Sequence, residues 1–243
     1  MKILGIIPAR YASTRFPGKP LADIAGKSMI RRVYEQAKKC MDLSDVIVAT
    51  DDKRIFDHVV SFHGVVVMTS ADHQSGTDRC AEVALQHPEY DVIINIQGDE
   101  PYIEPEQISQ LARCFKDPNT QIATLIKKVQ NGQELFNPNS PKVVVNKNSE
   151  AVYFSRSPLP YIRGQEQQNW LQQYTYFKHI GIYGYRADIL RQITKLPVSA
   201  LEKAESLEQL RWIENGYPIK VAETEFETIA VDTPEDLQKL LDK

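Results

Sequence analysis

A chain of 243 residues with 42% hydrophobic and 25% charged side chains has ordinary globular composition and enough apolar material for the core of one large α/β domain. A formal charge of -3 and a pI near 6.0 argue against a polyanion-binding protein, so no nucleic-acid partner is expected and any anionic ligand needs a local basic cluster. Cys40, Cys80 and Cys114 are far apart and lack C-x-x-C spacing, which suggests neither a disulfide framework nor a zinc site and fits a reduced, cytoplasmic setting.

The apolar run at the start is broken by Gly5 and closed by Pro8 and Arg10, too short for a signal segment or a membrane span, so a soluble chain without membrane insertion is expected. Strand-length apolar runs at Ile3–Ile7, Val46–Thr50, Val65–Met68 and Val92–Ile96 alternate with helical stretches near Met29–Cys40, Arg54–Phe62 and Asp78–Gln86. Thr77 is the expected N-cap of the last of these, and Pro105 opens a further helix running to about Phe115. This alternation predicts parallel strands joined by crossover helices. The second half has strand-like runs at Ile122–Ile126, Val143–Val145, Ala151–Phe154 and Ile180–Tyr185, with Gln165–Gln173 as its most loop-like stretch. Ser206 to Gln209 and Thr233 to Asp236 both look like capped helix starts, separated by a short strand at Thr228–Val231. No repeat, low-complexity tract or linker divides the chain.

The first strand runs into Pro8-Ala9-Arg10-Tyr11-Ala12-Ser13-Thr14-Arg15-Phe16-Pro17-Gly18-Lys19-Pro20, a loop that combines small residues with cations. At the carboxyl end of a parallel strand, small residues let backbone N–H groups approach phosphate oxygens, and Arg10, Arg15 and Lys19 offset a triphosphate's charge. Pro20 follows Gly18-Lys19 and Leu21 stands where Gly26-Lys27-Ser28 would need its first glycine, so this is no Walker loop; G-x-G-x-x-G is missing as well. The fourth strand delivers Asp99 beside Gly98, and Ile229-Ala230-Val231 delivers Asp232 before a helix. Two acids at distant strand ends suit Mg²⁺, although each alone could merely cap a helix. Asp51-Asp52 is read as a helix-start feature. His73 to Arg79 could hydrogen-bond a base and ribose or form only a capped turn; Arg156, Lys178 and His179 could receive a substrate carboxylate, although a lone histidine between Lys178 and an apolar strand is more often structural.

These segments, together with Tyr153-Phe154-Ser155-Arg156-Ser157, Lys178-His179-Ile180-Gly181-Ile182-Tyr183, Glu205 to Arg211 and Val231-Asp232-Thr233-Pro234, resemble in order the 3-deoxy-manno-octulosonate cytidylyltransferases. The resemblance runs from residue 3 to about 236. It implies a Rossmann-like nucleotidyltransferase fold, a mostly parallel sheet flanked by helices with a smaller second lobe. A single domain over 1–243 is expected, with a nucleotide part at about 1–125, a sugar-binding and dimerisation part at about 126–227, and Asp232 returning to the metal site. CTP as donor, 3-deoxy-manno-octulosonate (Kdo) as acceptor, Mg²⁺, a homodimer and a place in lipopolysaccharide synthesis follow from the same resemblance. It assigns Pro8, Ala9, Arg10, Arg15, Lys19, Ser75, Gly76, Arg79 and Gln97 to the nucleotide. Arg156, His179, Tyr183, Glu208 and Gln209 go to the sugar, and Asp99 and Asp232 to the metal. Arg10, Lys19, Asp99 and Asp232 are the expected catalytic group. Lys19-Pro20 favours Kdo over sialic acid, where Lys-Asn is expected. A nucleotidyltransferase for another sugar and a non-catalytic nucleotide-binding protein are the rival readings.

Overall fold

In the computed structural model, residues 1–12, 16–227 and 229–241 are described. Its centre is β1 (Ile3–Ala9), whose side chains alternate between two apolar layers: Leu4 and Ile6 enter one, Ile3, Ile7 and Ala9 the other. A strand buried on both faces needs this unbroken apolar run. Parallel neighbours β4 (Asp45–Thr50) and β6 (Val92–Asn95) flank it, and β5 (Val66–Met68) extends the sheet beyond β4.

Crossovers α1 (Met29–Ala37), α2 (Lys53–Ser61) and α4 (Pro105–Cys114) supply one apolar layer, and α3 (Gly76–Gln86) the other. In the strand order β1 leads on to β4 on one side and β6 to the later strand at Ile122–Lys128 on the other, so the chain leaves this adjacent pair in opposite directions along the sheet and a crevice opens at their carboxyl ends. A two-stranded hairpin of β2 (Asp23–Ile24) and β3 (Lys27–Ser28) precedes α1, whose N-cap Ser28 accepts from the Arg31 N–H.

The second half completes the same nine-stranded sheet, whose order is β11-β7-β10-β6-β1-β4-β5 with β7 (Ile122–Lys128), β10 (Phe177–Arg186) and β11 (Ile219–Glu223). Here the mostly parallel expectation needs one amendment, because β10 enters antiparallel between β6 and β7. Its first residues also pair with β8 (Lys142–Val145), which pairs with β9 (Ala151–Ser155). Short helices α5 (Gly132–Leu135) and α6 (Trp170–Gln173) close a small aromatic cluster of Leu135, Trp170 and Tyr176 beside this extension. α7 (Ala187–Ile193), α8 (Ala200–Glu205) and α9 (Gln209–Glu214) cover the α3 face, and α10 (Pro234–Leu241) ends the description.

Several expectations are corrected. Ser75, rather than Thr77, caps α3: its Oγ accepts from Asp78 N while the Asp78 carboxylate accepts from Ser75 N. Ser206 closes α8 in a left-handed conformation instead of opening a helix, and Glu208 stands at the start of α9. The Gln165–Gln173 stretch contains α6 because Trp170 is buried there. Residues 229–231 form no strand, and Thr228 lies outside the described residues. The missed strands are the short β2 and β3 and, in the main sheet, β11, where Ile219 and Val221 face inward. Among the described residues no helix is long and apolar enough to cross a membrane.

Candidate active site

Where β1 and β6 end, three connections meet around a cavity of about 330 Å³. β1 contributes Pro8 and Ala9 and leads into Arg10, β6 leads into Gln97-Gly98-Asp99, and the start of α3 contributes Ser75 and Gly76. Glycine is required at 98, since an added Cβ would sit 2.7 Å from the Pro8 carbonyl oxygen, a backbone atom that cannot swing aside. At Gly76 the same atom would stand 3.2 Å from the Pro8 ring, so α3 presses its amino end against the end of β1. Pro8, Ala9, Arg10, Lys19, Ser75, Gly76, Arg79 and Gln97 all line this one cavity, as do Pro20, His73 and Gln74. Arg15 lies outside the described residues.

Asp99 and Asp232 reach the cavity from sequence positions far apart and meet on one ammonium. Lys19 Nζ donates to Asp99 Oδ2 at 2.7 Å and lies 3.6 Å from Asp232 Oδ1. The return segment is fixed by a backbone bond, Val231 N to Asp99 O at 2.9 Å, and by burial of Val231 among Ile24, Met29 and the apolar side of α10. Helix capping is done by other groups: Thr233 Oγ1 accepts from Asp236 N, and the Asp236 carboxylate accepts from Thr233 N. The Asp232 side chain reaches toward Lys19.

Two carboxylates converging on one small cation form the donor set that Mg²⁺ takes when phosphate oxygens and water complete its shell. Among the described residues no group of three or more acids, histidines or cysteines could hold a metal by itself. Asp99 and Asp232 alone would therefore leave most of a Mg²⁺ shell to phosphate oxygens and water.

Deeper in the cavity wall, the buried Arg79 donates to Thr69 Oγ1 and, at 3.3 Å, to Asp51 Oδ2. The helix-start reading of Asp51-Asp52 consequently holds for Asp52 alone, which accepts from Arg54 N at the head of α2. Sequence offered no sign of the Asp51–Arg79 pair, whose members lie on different elements. His73 pairs with Glu82 in the second turn of α3, whereas Arg10 is exposed and has no ion-pair partner among the described residues.

The residues assigned to the sugar lie outside the lining of this cavity, on the α3 side of the sheet and in the second-half extension. Arg156 Nε donates to Glu205 O at 2.6 Å, and its two terminal nitrogens donate to Pro138 O and Ser206 O. Lys178 is buried between Glu134 and Glu227, which satisfy its charge and leave it no role as a substrate cation. A bulge in β10 between Ile180 and Tyr183 is filled by Thr124, whose Oγ1 donates to Ile182 O and lies 2.9 Å from His179 Nε2. The His179 ring also packs edge-on to Phe154 and against Tyr183. Burial lowers its pKa to about 3, so His179 offers a neutral hydrogen-bonding group where a charge was expected. Gln209 is buried at the first turn of α9, and Thr77 Oγ1 donates to Glu208 Oε2 at 2.7 Å.

A testable consequence concerns acid stability. The folded pKa of His179 lies below its unfolded value of about 6.5, so the unfolded chain binds the extra proton as pH falls. Its contribution is complete above about pH 6.5 and is lost progressively down to about 3, by at most about 1.4 kcal/mol per pH unit. Chemical denaturation between pH 7 and 4 should show a shallower decline for His179→Gln than for the parent; equal slopes would refute this account.

Comparison with known proteins agrees with this geometry. The cytidylyltransferase family profile matches residues 4–229. The 3-deoxy-manno-octulosonate cytidylyltransferase of Parabacteroides distasonis is 64% identical, covering 99% of this chain and 97% of its own. That of Bacteroides thetaiotaomicron is 57% identical over 98% and 96% of the two chains. A solved structure of CMP:2-keto-3-deoxy-manno-octonic acid synthetase complexed with CTP superposes with a TM-score of 0.93 at 45% identity, covering 100% of this chain and 98% of that one. A Bacillus anthracis glucose-1-phosphate thymidylyltransferase, 16% identical with a TM-score of 0.64 over 99% of this chain and 94% of its own, shares the fold. The sheet order and the strand-end site define a nucleotidyltransferase of Rossmann-like type. Within that class, the chain belongs to the 3-deoxy-manno-octulosonate cytidylyltransferase family.

Proposed function

We propose that the chain transfers CMP from CTP to the anomeric hydroxyl of Kdo, giving CMP-Kdo and pyrophosphate. The observation that carries this reading is the meeting of Asp99, Asp232 and Lys19 beside Arg10 and the amino end of α3, at the mouth of one cavity. The acceptor oxygen attacks the α-phosphorus in line, so rate comes from positioning and from charges aimed at the phosphate oxygens. Arg10 and Lys19 hold the α-phosphate and the leaving pyrophosphate, with Arg15 assigned to the outer phosphates. Ser75, Gly76, Arg79 and Gln97 serve the nucleotide, and Pro8-Ala9 presents backbone to a pyrimidine. Mg²⁺, held by Asp99 and Asp232, would supply positive charge to the phosphate oxygens. On the acceptor side, Arg156, His179, Tyr183, Glu208 and Gln209 bind and orient Kdo. With His179 neutral and Lys178 saturated, Arg156 is the cation left for the sugar carboxylate, reached by giving up one of its carbonyl partners.

The test is pyrophosphate release from purified protein with CTP, ATP or GTP, with and without Kdo and Mg²⁺. Release requiring both Kdo and Mg²⁺, with CTP preferred by on the order of tenfold or more, is expected because a pocket shaped for one ring disfavours two. Comparable kcat/KM with a purine triphosphate would remove the base assignment, and release with another acceptor alone would remove Kdo. We further propose a homodimer formed through the second-half extension, where Phe136, Val152, Tyr161 and Tyr174 are exposed. Sedimentation equilibrium giving the monomer mass at micromolar concentration would refuse it.

A further inference from the structure

We infer that Thr77 is a positioning residue for Glu208, and that the first turn of α3 thereby ties the acceptor side of the site to the nucleotide side. The inference rests on the proposed role of Glu208 in the sugar pocket.

Because Ser75 caps α3, the helix makes no use of the Thr77 hydroxyl. Thr77 is nevertheless almost wholly buried and donates across to Glu208 Oε2 at 2.7 Å, over 131 residues of sequence. Glu208 occupies the N-cap position of α9, where a carboxylate would ordinarily accept from its own helix, yet its side chain makes no cap hydrogen bond. It is instead turned toward α3. The ionisable groups facing it are Asp78 and Cys80 from α3, Tyr183 and Tyr185 from β10, and Arg211 from α9.

Among the described residues none of these donates to the carboxylate as Thr77 does. Asp78 is an acid, and Arg211 is committed to both oxygens of Glu202 at 2.6 Å. The hydroxyls of Tyr183 and Tyr185 are buried and face the hydroxyls of Thr124 and Thr77 rather than the carboxylate. Burial raises the Glu208 pKa, and the Thr77 and Ser75 hydroxyls oppose that by favouring the charged form. The two residues before Thr77, Ser75 and Gly76, line the nucleotide cavity. One turn of helix thus has the nucleotide on one side and the Glu208 carboxylate on the other, and Thr77 fixes their separation.

Thr77→Val keeps the shape and removes the donor. It is expected to lower kcat/KM for Kdo by about tenfold to a hundredfold while the KM for CTP and the melting temperature change little. Thr77→Ser should restore the parent value. In a Glu208→Ala background Thr77→Val should add nothing, because the two residues act through one contact. Parent-like Kdo kinetics in Thr77→Val, or the same loss on top of Glu208→Ala, would overturn the proposal. If valine unfolds the chain, Thr77→Ala carries the same cycle.

A substrate-free reading separates this from the acceptor assignment. In carboxyl ¹³C NMR of the nucleotide-free protein, the Glu208 titration should move to higher pH in Thr77→Val and return in Thr77→Ser, and an unmoved titration would overturn the link. A parent that releases no pyrophosphate with Kdo would instead sink the proposed acceptor.

Discussion

Asp99→Asn and Asp232→Asn are each expected to lower turnover by on the order of a hundredfold or more while leaving a cooperative melt, because each removes one preorganised charge from the transition-state environment. Asparagine keeps size and polarity but lacks the negative charge that a hard cation prefers. Inspection of the carboxylates alone would suggest mutual repulsion and a more stable variant. Lys19 changes that sign, since its ammonium lies within 2.7 and 3.6 Å of the two acids and already offsets their charge. With Asp99 about a quarter exposed and Asp232 nearly half, each pair is screened by water, and the melting temperature without nucleotide should shift by no more than about 2 °C. Pyrophosphate release across a Mg²⁺ titration, alongside melts without nucleotide, reads both effects. Partial recovery at high Mg²⁺ would mean that binding of the ion had weakened; none would mean that its placement had. Near-parent turnover at limiting Mg²⁺ would show that the aspartate in question is no metal ligand, and loss of the cooperative melt would show that its role is structural.

The parts of this site that sequence made legible are those carried by strand ends. β1 and β6 are continuous apolar runs, so their ends, and with them Arg10 and Asp99, are marked by the switch to polar and small residues. Asp232 was legible through its motif, but its delivery was misread as a strand. A single backbone bond from Val231 and the docking of α10 place it, and neither leaves a periodic trace. Helix starts fared unevenly for a physical reason: in Ser75-Gly76-Thr77-Asp78 two hydroxyls compete for one cap. The choice depends on Thr77 having a better partner in Glu208, a residue remote in sequence. Ser206 failed similarly, because the left-handed turn that ends α8 leaves its side chain no helix to cap. Cations in the second half looked alike on paper, yet burial neutralises His179, Glu134 and Glu227 consume Lys178, and backbone carbonyls hold Arg156. Those outcomes depend on tertiary neighbours. The strand β11 was missed because its two inward residues are interleaved with lysine and alanine, a weak alternation for an edge strand.

Lys19→Met is expected to produce two opposite changes in one protein: turnover falls by about a hundredfold to a thousandfold, while Mg²⁺ binds the nucleotide-free form more tightly. In the parent, the ammonium sits where the two carboxylates converge and competes for them. Methionine retains the apolar stem of a side chain that is only 15% exposed, so packing around Pro20 and the end of β1 is largely kept. Without the ammonium, Asp99 and Asp232 both lose the cation that they share. The nucleotide-free protein should then melt roughly 2 to 4 °C lower, the equivalent of about 1 kcal/mol at this chain length. Added Mg²⁺ should raise that melt more in the variant than in the parent, because an ion that binds only the folded state stabilises it in proportion to its affinity. Turnover falls regardless, since a divalent ion on the aspartates cannot replace a donor reaching the α-phosphate and the departing pyrophosphate. Calorimetric titration of Mg²⁺ into both nucleotide-free proteins measures the first change, and pyrophosphate release at saturating CTP, Kdo and Mg²⁺ measures the second. Equal Mg²⁺ affinity in the two proteins would show that Lys19 does not hold the metal's place before the nucleotide arrives. Parent-like turnover in the variant would remove Lys19 from the catalytic group.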